Sequence, residues 1–220
     1  MIVLMNYTFI STFILAFFVT NFAWAYSPTF NEPSLPYEVY TIEKNIVEKS
    51  EYLGDLVGDP HMYEFSVTEP TKLSMQVAQL QKDSSIPFSL IVIKENENKK
   101  GVKDVGRLKT PKEEWKPYYD KVIALELLRS DVFEADLDKG IYRIEVSTPD
   151  NFGKYMLVVG SEQNSDGFFK TISQVKATRS WFSVSAFGMF KSTYIKYPLG
   201  IVIILGLIYF TWRNYRVKNK

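Results

Sequence analysis

From residue 62 onward the apolar residues recur at every second position, and this pattern constrains the fold more than any other feature of the chain. In MYEFSVT, Tyr63, Phe65 and Val67 alternate with Glu64, Ser66 and Thr68, and in KLSMQV the same holds for Leu73, Met75 and Val77. VFEADL alternates through Phe133, Ala135 and Leu137, and YRIEV through Tyr142, Ile144 and Val146. Period two places alternate side chains on one face of an extended strand. FSLIVI (88–93) and YMLVV (155–159) are apolar on both faces. The runs are short and are broken at Glu69-Pro70, at Lys139-Gly140 and between Asp150 and Gly153. Long helical patterns between them, which a parallel α/β sheet would need, are missing. The expectation is an all-β protein, an antiparallel jelly-roll-like sandwich over residues 37–163.

The stretch GIYRIEVSTPDNFGKYMLVVG (140–160) reads as two such strands around a polar turn, each opening Gly-x-Tyr. Gly140 suits a tight turn into a strand, and Asn151 and Gly153 are turn residues. Tyr142 and Tyr155 are placed to bury their rings between the sheets while their hydroxyls reach the rim. A sugar site lined by these two tyrosines is the competing reading.

YEFSVTEPTKLSM, FEADLDKGIYRIEV and GKYMLVV together resemble the bacterial pre-peptidase C-terminal domain, over roughly residues 56–159 with 94–121 as a longer insertion. The resemblance implies a non-catalytic β-sandwich that binds or presents, often beside a secreted enzyme, and no peptidase domain is present in this sequence. The single-pass layout is also similar to the Golgi-dynamics jelly-roll ectodomains, without their long coiled coil.

Residues 1–25 contain no charged residue, hold an apolar core from Phe9 to Val19, and end in Ala23-Trp24-Ala25. This fits a secretory signal peptide, with an uncleaved helix as the alternative. Residues 26–36 then read as a linker. Near the other end, YPLGIVIILGLIYFTW has no polar face, so a membrane span over 194–212 is favoured over a core helix. Tyr197, Tyr209, Trp212 and Arg213 are its expected anchors at the two interfaces. The tail 213–220 carries Arg213, Arg216, Lys218 and Lys220 and no acid, which the positive-inside rule places in the cytoplasm. The chain is thus expected to be a single-pass membrane protein with its N-terminal domain extracytoplasmic.

All 25 acids and 22 of the 26 basic residues lie between the apolar segments, giving that part a net charge near −3. Such a balance excludes a nucleic-acid footprint. Cysteine is absent, which excludes thiol catalysis, cysteine-ligated zinc and iron–sulfur clusters. Roughly 135 residues are enough for one domain without disulfides.

His61, the only histidine, sits beside Asp59 and Pro60 where a surface turn is expected, and no Gly-x-Ser-x-Gly elbow exists to partner it. No cofactor is expected. Calcium is left open by the loop acids Asp136, Asp138 and Asp150, although their spacing is not that of an EF-hand. Trp115, Tyr118 and Tyr119, in the polar insertion 94–121, read either as a lid on the sandwich edge or as a partner-binding loop. Between sandwich and span, 164–193 reads as an amphipathic juxtamembrane segment, with a flexible stalk as the alternative. There Trp181, Phe182 and Phe190 would meet lipid or another membrane protein. These readings converge on a non-enzymatic, membrane-anchored binding or accessory protein. A carbohydrate- or calcium-dependent receptor is the alternative, and a hydrolase comes last.

Overall fold

The computed structural model describes residues 26, 28–33, 35–82, 85–96, 100–162 and 168–218. The expected signal segment 1–25 lies outside the described residues. The rest divides into two compact units: the strands up to Asp120 and from Leu125 onward, and a helical unit of Tyr26, Lys121–Ala124 and the C-terminal segment.

The first unit holds twelve strands among the described residues: β1 (Thr29–Asn31), β2 (Val39–Thr41), β3 (Ser50–Val57), β4 (His61–Val67), β5 (Thr71–Leu80), β6 (Ser89–Glu95), β7 (Val102–Lys109), β8 (Lys116–Asp120), β9 (Leu125–Arg129), β10 (Phe133–Leu137), β11 (Gly140–Ser147) and β12 (Phe152–Val159). One sheet runs β1-β3-β12-β5-β9-β8, with β10 also paired to β5, and the other runs β2-β4-β11-β6-β7. Successive strands from β3 to β6 alternate between the sheets, and β11 and β12 return to the middle of each. This is a jelly-roll arrangement, as the period-two reading required. Among the named strands pairing is antiparallel except where β1 joins β3 and β2 joins β4 in parallel, and an isolated parallel bridge joins Glu48 and Glu162.

The inward positions of the alternating strands make one core: Phe65 and Tyr63 of β4, Leu73, Met75 and Val77 of β5, Tyr142, Ile144 and Val146 of β11, and Tyr155, Leu157 and Val159 of β12. Burying a side chain of this size stabilises by roughly 1.5–3 kcal/mol relative to leaving it in water, so the alternation fixes register strand by strand. The outward positions of β12, Met156 and Val158, are apolar and buried as well, in keeping with a run apolar on both faces.

The structure corrects several expectations. Residues 29–31, expected as linker, form β1. The insertion 94–121 is not a long loop, because β7, a 3-10 turn at Lys112–Glu114 and β8 occupy most of it. β7 is an edge strand that carries Lys103, Asp104, Arg107 and Lys109, and β8, an edge of the other sheet, contains Pro117. Trp115 belongs to the core, 7% exposed and edge-on to Phe88, so it is not an exposed anchor for a partner.

In the helical unit, α1 spans Phe168–Trp181 and α2 spans Thr193–Lys218, with a 3-10 turn at Ala186–Lys191 between them. The buried face of α1 is Thr171, Val175 and Thr178, continued by Phe182. Arg179, also buried, donates to the carbonyls of Ile123 (2.9 Å), Ala124 (2.6 Å) and Ser185 (2.9 and 3.0 Å). Gly188 makes room for it, since a Cβ there would sit 1.8 Å from Arg179 Nη2. Ser192 caps α2: its hydroxyl accepts the Tyr194 N–H at 3.3 Å, and its carbonyl accepts those of Ile195 and Lys196. α2 is longer than the span expected from 194 to 212. Within it, Thr193–Tyr215 is long and apolar enough to cross a membrane.

Candidate functional site

The β-sandwich has two contrasting polar regions, a buried one in the core and an open one at a loop end. The buried region starts from His61, the first residue of β4. It is 4% exposed, and its Nδ1 lies 2.8 Å from the Tyr155 hydroxyl. That hydroxyl is also 2.8 Å from the Tyr63 hydroxyl, and the Asn31 side chain from β1 reaches both phenols. Burial lowers the His61 pKa, so the imidazole is held neutral, and the same burial raises the pKa of Tyr63 and Tyr155. His61 is therefore a core residue in a hydrogen-bonded chain, not the surface-turn residue expected. Gly54 of β3, paired with Tyr155, accommodates the phenol: a Cβ on Gly54 would lie 2.4 Å from the ring's outer atoms. His61, Tyr63, Tyr155 and Asn31 are all buried, so this network orders the core.

The open region lies where the β4–β5 turn, the β10–β11 turn and the far ends of β6 and β7 come together. A cleft of about 460 Å³ opens between the segment 42–47 and the turn 66–71, with Glu43, Lys44 and Glu69 on its walls. A second, of about 380 Å³, is lined by Lys94, Lys103, Asp104, Asp136, Asp138 and Tyr142 among others. The clefts flank one seam, for Leu137 pairs with Thr71 and Gly140 with Val67.

Tyr142 shapes the second cleft from below. Its ring stacks on Phe65 at 5.6 Å, Lys94 Nζ lies 5.5 Å from its centroid, and its hydroxyl donates to the Asp138 carbonyl at 2.8 Å. That bond pins the β10–β11 turn at the rim, so the Tyr142 hydroxyl does what the sequence suggested for both tyrosines. The Tyr155 hydroxyl does not. At the side, Arg143 forks to Glu64 (2.8 Å) and Glu95 (3.0 Å), so one guanidinium is shared by two carboxylates at the cleft wall. Lys72 and Glu134 pair at 2.7 Å on the adjacent β5 and β10, and that carboxylate raises the ammonium pKa. Chemically the cleft offers ammonium and carboxylate groups, open to water, for a polar ligand to hydrogen-bond.

The candidate calcium ligands are only partly brought together. Asp136 and Asp138 share the second cleft, but Asp150 sits beyond the other end of β11, where it accepts the Thr148 hydroxyl at 3.0 Å within the turn to β12. Among the described residues no group of three or more such side chains is placed to hold a metal ion. Asn151 (φ 52°) and Gly153 (φ 126°) do make that turn.

Of the expected partner contacts, Tyr118 and Tyr119 are half exposed but adjacent on β8, so they point to opposite faces, and Arg129 stacks on the Tyr118 ring at 3.3 Å. They do not form one patch. Trp181 and Phe182 pack edge to face at 5.0 Å, with Phe182 buried, while Phe190 is exposed. Of the expected anchors Tyr197, Tyr209 and Arg213 are exposed, and Tyr209 lies 6.5 Å from Trp212 between ring centroids. Sequence reasoning missed the Arg143 fork and the clefts, because ion pairs between β11 and its neighbours depend on register.

No family model matches the chain, and no curated protein matches it. Solved structures do. One is the pre-peptidase C-terminal domain of collagenase from Bacillus anthracis, at 14% identity over 58% of this chain and 98% of that one, with a TM-score of 0.36. Another is PliG of Aeromonas hydrophila, a periplasmic inhibitor of g-type lysozyme (11% identity, 61% and 98%, TM-score 0.36). A third is the CBM35 module of Abf62 from Cellvibrio japonicus (12%, 50% and 71%, 0.27). The family whose likeness the strand motifs carry is thus represented among these structures.

Proposed function

We propose that this chain is a membrane-anchored, non-catalytic binding protein that presents the cleft-bearing end of its sandwich from the outer side of a membrane. The observation that carries the reading is the exposure of α2. Past its first turn, where Tyr194, Ile195 and Pro198 are buried, Val202, Ile203, Ile204, Leu207 and Ile208 are all exposed, so from Leu199 to Phe210 the helix is apolar all round with no face packed away. A helix of this kind is stable where its surroundings are hydrocarbon. At ~1.5 Å rise per residue its 23-residue apolar stretch is roughly 34 Å long, enough for a ~30 Å core. The basic tail supports a cytoplasmic C-terminus.

Alkaline carbonate extraction tests the anchor: the protein should remain in the membrane pellet, and release into the supernatant would refute it. The natural chain lacks cysteine, so sidedness can be read with single substitutions. On intact cells an impermeant maleimide should label Ser161→Cys and leave Lys218→Cys unlabelled. The opposite pattern would invert the topology.

A saccharide-binding reading is favoured by the second cleft, where Asp136, Asp138, Lys94 and Lys103 offer donors and acceptors around an open hollow. Its test is a glycan screen in which any ligand is lost on Asp136→Ala with Asp138→Ala. Binding that survives this pair, or that needs calcium for the sandwich to stay folded, argues for another site.

A further inference from the structure

The juxtamembrane stretch puts its apolar residues in two different places. The apolar side of α1 is used up inside the helical unit, since Val175 and Phe182 are buried. The 3-10 turn Ala186–Lys191 does the reverse: Phe187 is 82% exposed and Phe190 51%. Two exposed phenylalanines three residues apart on one turn are costly in water. We propose that this turn is a lipid-inserting wedge, with Phe187 and Phe190 buried at the headgroup–acyl boundary of the membrane that α2 crosses and Lys191 and Lys196 on anionic headgroups.

Three observations point to lipid as the occupant. Position is the first: Ser192 alone separates the turn from α2, and its N–H donates to the Met189 carbonyl at 2.9 Å. Phe190 thus lies one turn or less from the start of the apolar stretch at Thr193. Charge is the second. From residue 167 to 196, on the side of the wedge, the chain has no Asp or Glu but carries Lys170, Lys176, Lys191 and Lys196 besides the buried Arg179, a balance that suits an anionic bilayer surface. The third is the arrangement of amines and rings: Lys191 and Lys196 are exposed, and Lys196 Nζ lies 4.9 Å from the centroid of Tyr197, itself exposed. An aromatic–basic collar of this kind belongs at the interface, where the ring enters the apolar boundary and the amine stays with the phosphates. The wedge rests on the reading of α2 as a membrane span.

The test uses the full chain in liposomes of phosphatidylcholine and phosphatidylglycerol, with one cysteine at a time carrying a nitrobenzoxadiazole fluorophore. Phe187→Cys and Phe190→Cys should show blue-shifted emission and strong quenching by lipids spin-labelled high on the acyl chain. Soluble iodide should quench them weakly. Ile204→Cys serves as the hydrocarbon reference and Ser173→Cys, exposed on α1, as the aqueous one. If Ile204→Cys reads lipid while 187 and 190 emit like Ser173→Cys, the wedge is wrong and the span stands. Should Ile204→Cys itself read water, the span fails and takes the wedge with it. Shielding of 187 and 190 from both quenchers would mean a protein contact, which also overturns the proposal.

Discussion

The same residue types meet opposite surroundings in the two units. In the sandwich Tyr52, Tyr63, Phe88, Tyr142 and Tyr155 are buried, and the tyrosine hydroxyls find partners or are pushed up in pKa, to about 12 for Tyr52, by loss of water. In the helical unit Phe187, Phe190, Tyr197, Tyr209 and Phe210 are exposed. Aromatic content alone therefore says little about where a core is. What separates these two sets is pattern: alternating with polar residues at period two, an aromatic ring faces another sheet, whereas the outward-facing rings stand in an acid-free run without period, in which Phe182 and Tyr194 are nonetheless buried within the helical unit.

The sharpest way to break this contrast is at Tyr155. Tyr155→Ala removes a fully buried ring and strands His61 and Tyr63, and should cost about 3–5 kcal/mol in urea unfolding of the sandwich. A loss under about 1 kcal/mol would show that the core does not depend on this side chain. Gly54→Ala forces a methyl into the space held by the same ring. The expected destabilisation is about 1–3 kcal/mol, relieved in part when combined with Tyr155→Phe, which shortens the ring's reach. Tyr155→Phe alone keeps the packing but leaves buried polar atoms unmatched, for about 1–3 kcal/mol.

The histidine adds a pH dependence. Because the folded pKa of His61 lies below its ordinary value of 6.5, the unfolded chain binds a proton first as pH falls. Stability should therefore decline as pH drops through about 6.5 toward the lower folded value, and level off beneath it. His61→Gln should remove that slope in denaturation curves taken at a series of pH values. Glu51 works in the opposite sense: burial raises its pKa above 4.5 despite the Lys49 ammonium 2.6 Å away, so protonation favours the folded state. A Glu51→Gln background keeps the two slopes apart. At the small end, Phe187→Ser with Phe190→Ser should leave the unfolding of the sandwich within about 0.5 kcal/mol. A loss comparable to that of Tyr155→Ala would erase the distinction between the units.

Much of the fold was legible because burial follows alternation. β4, β5, β6, β10, β11 and β12 each carry a clean run in the sequence. β3 does not, since SEYLGDLV places Glu51, Gly54 and Asp55 among its apolar residues, and the reason for Gly54 lies on another strand, in Tyr155. β7 and β8 escaped for a related reason: edge strands bury little, so their residues read as a polar loop. Trp115 shows the limit from the other side, as a core residue amid the charges of a stretch that reads as surface. The clefts were illegible altogether, because Lys94, Asp104, Asp136 and Tyr142 meet only through the pairing of strands distant in sequence.

The composition of those edges has a further meaning under the membrane anchoring proposed above. Tethering confines molecules to a plane, where copies meet side by side in similar orientation far more often than in free solution. Open strand edges are the parts of a sandwich most apt to zip together under such crowding. β7 presents Lys103, Asp104, Arg107 and Lys109, and β8 contains Pro117, which has no N–H to give. Charges and a missing donor make poor templates for a neighbouring strand. Polar residues that blurred the reading of these strands are thus the ones that, in a membrane-anchored molecule as proposed, would keep neighbouring copies from pairing edge to edge.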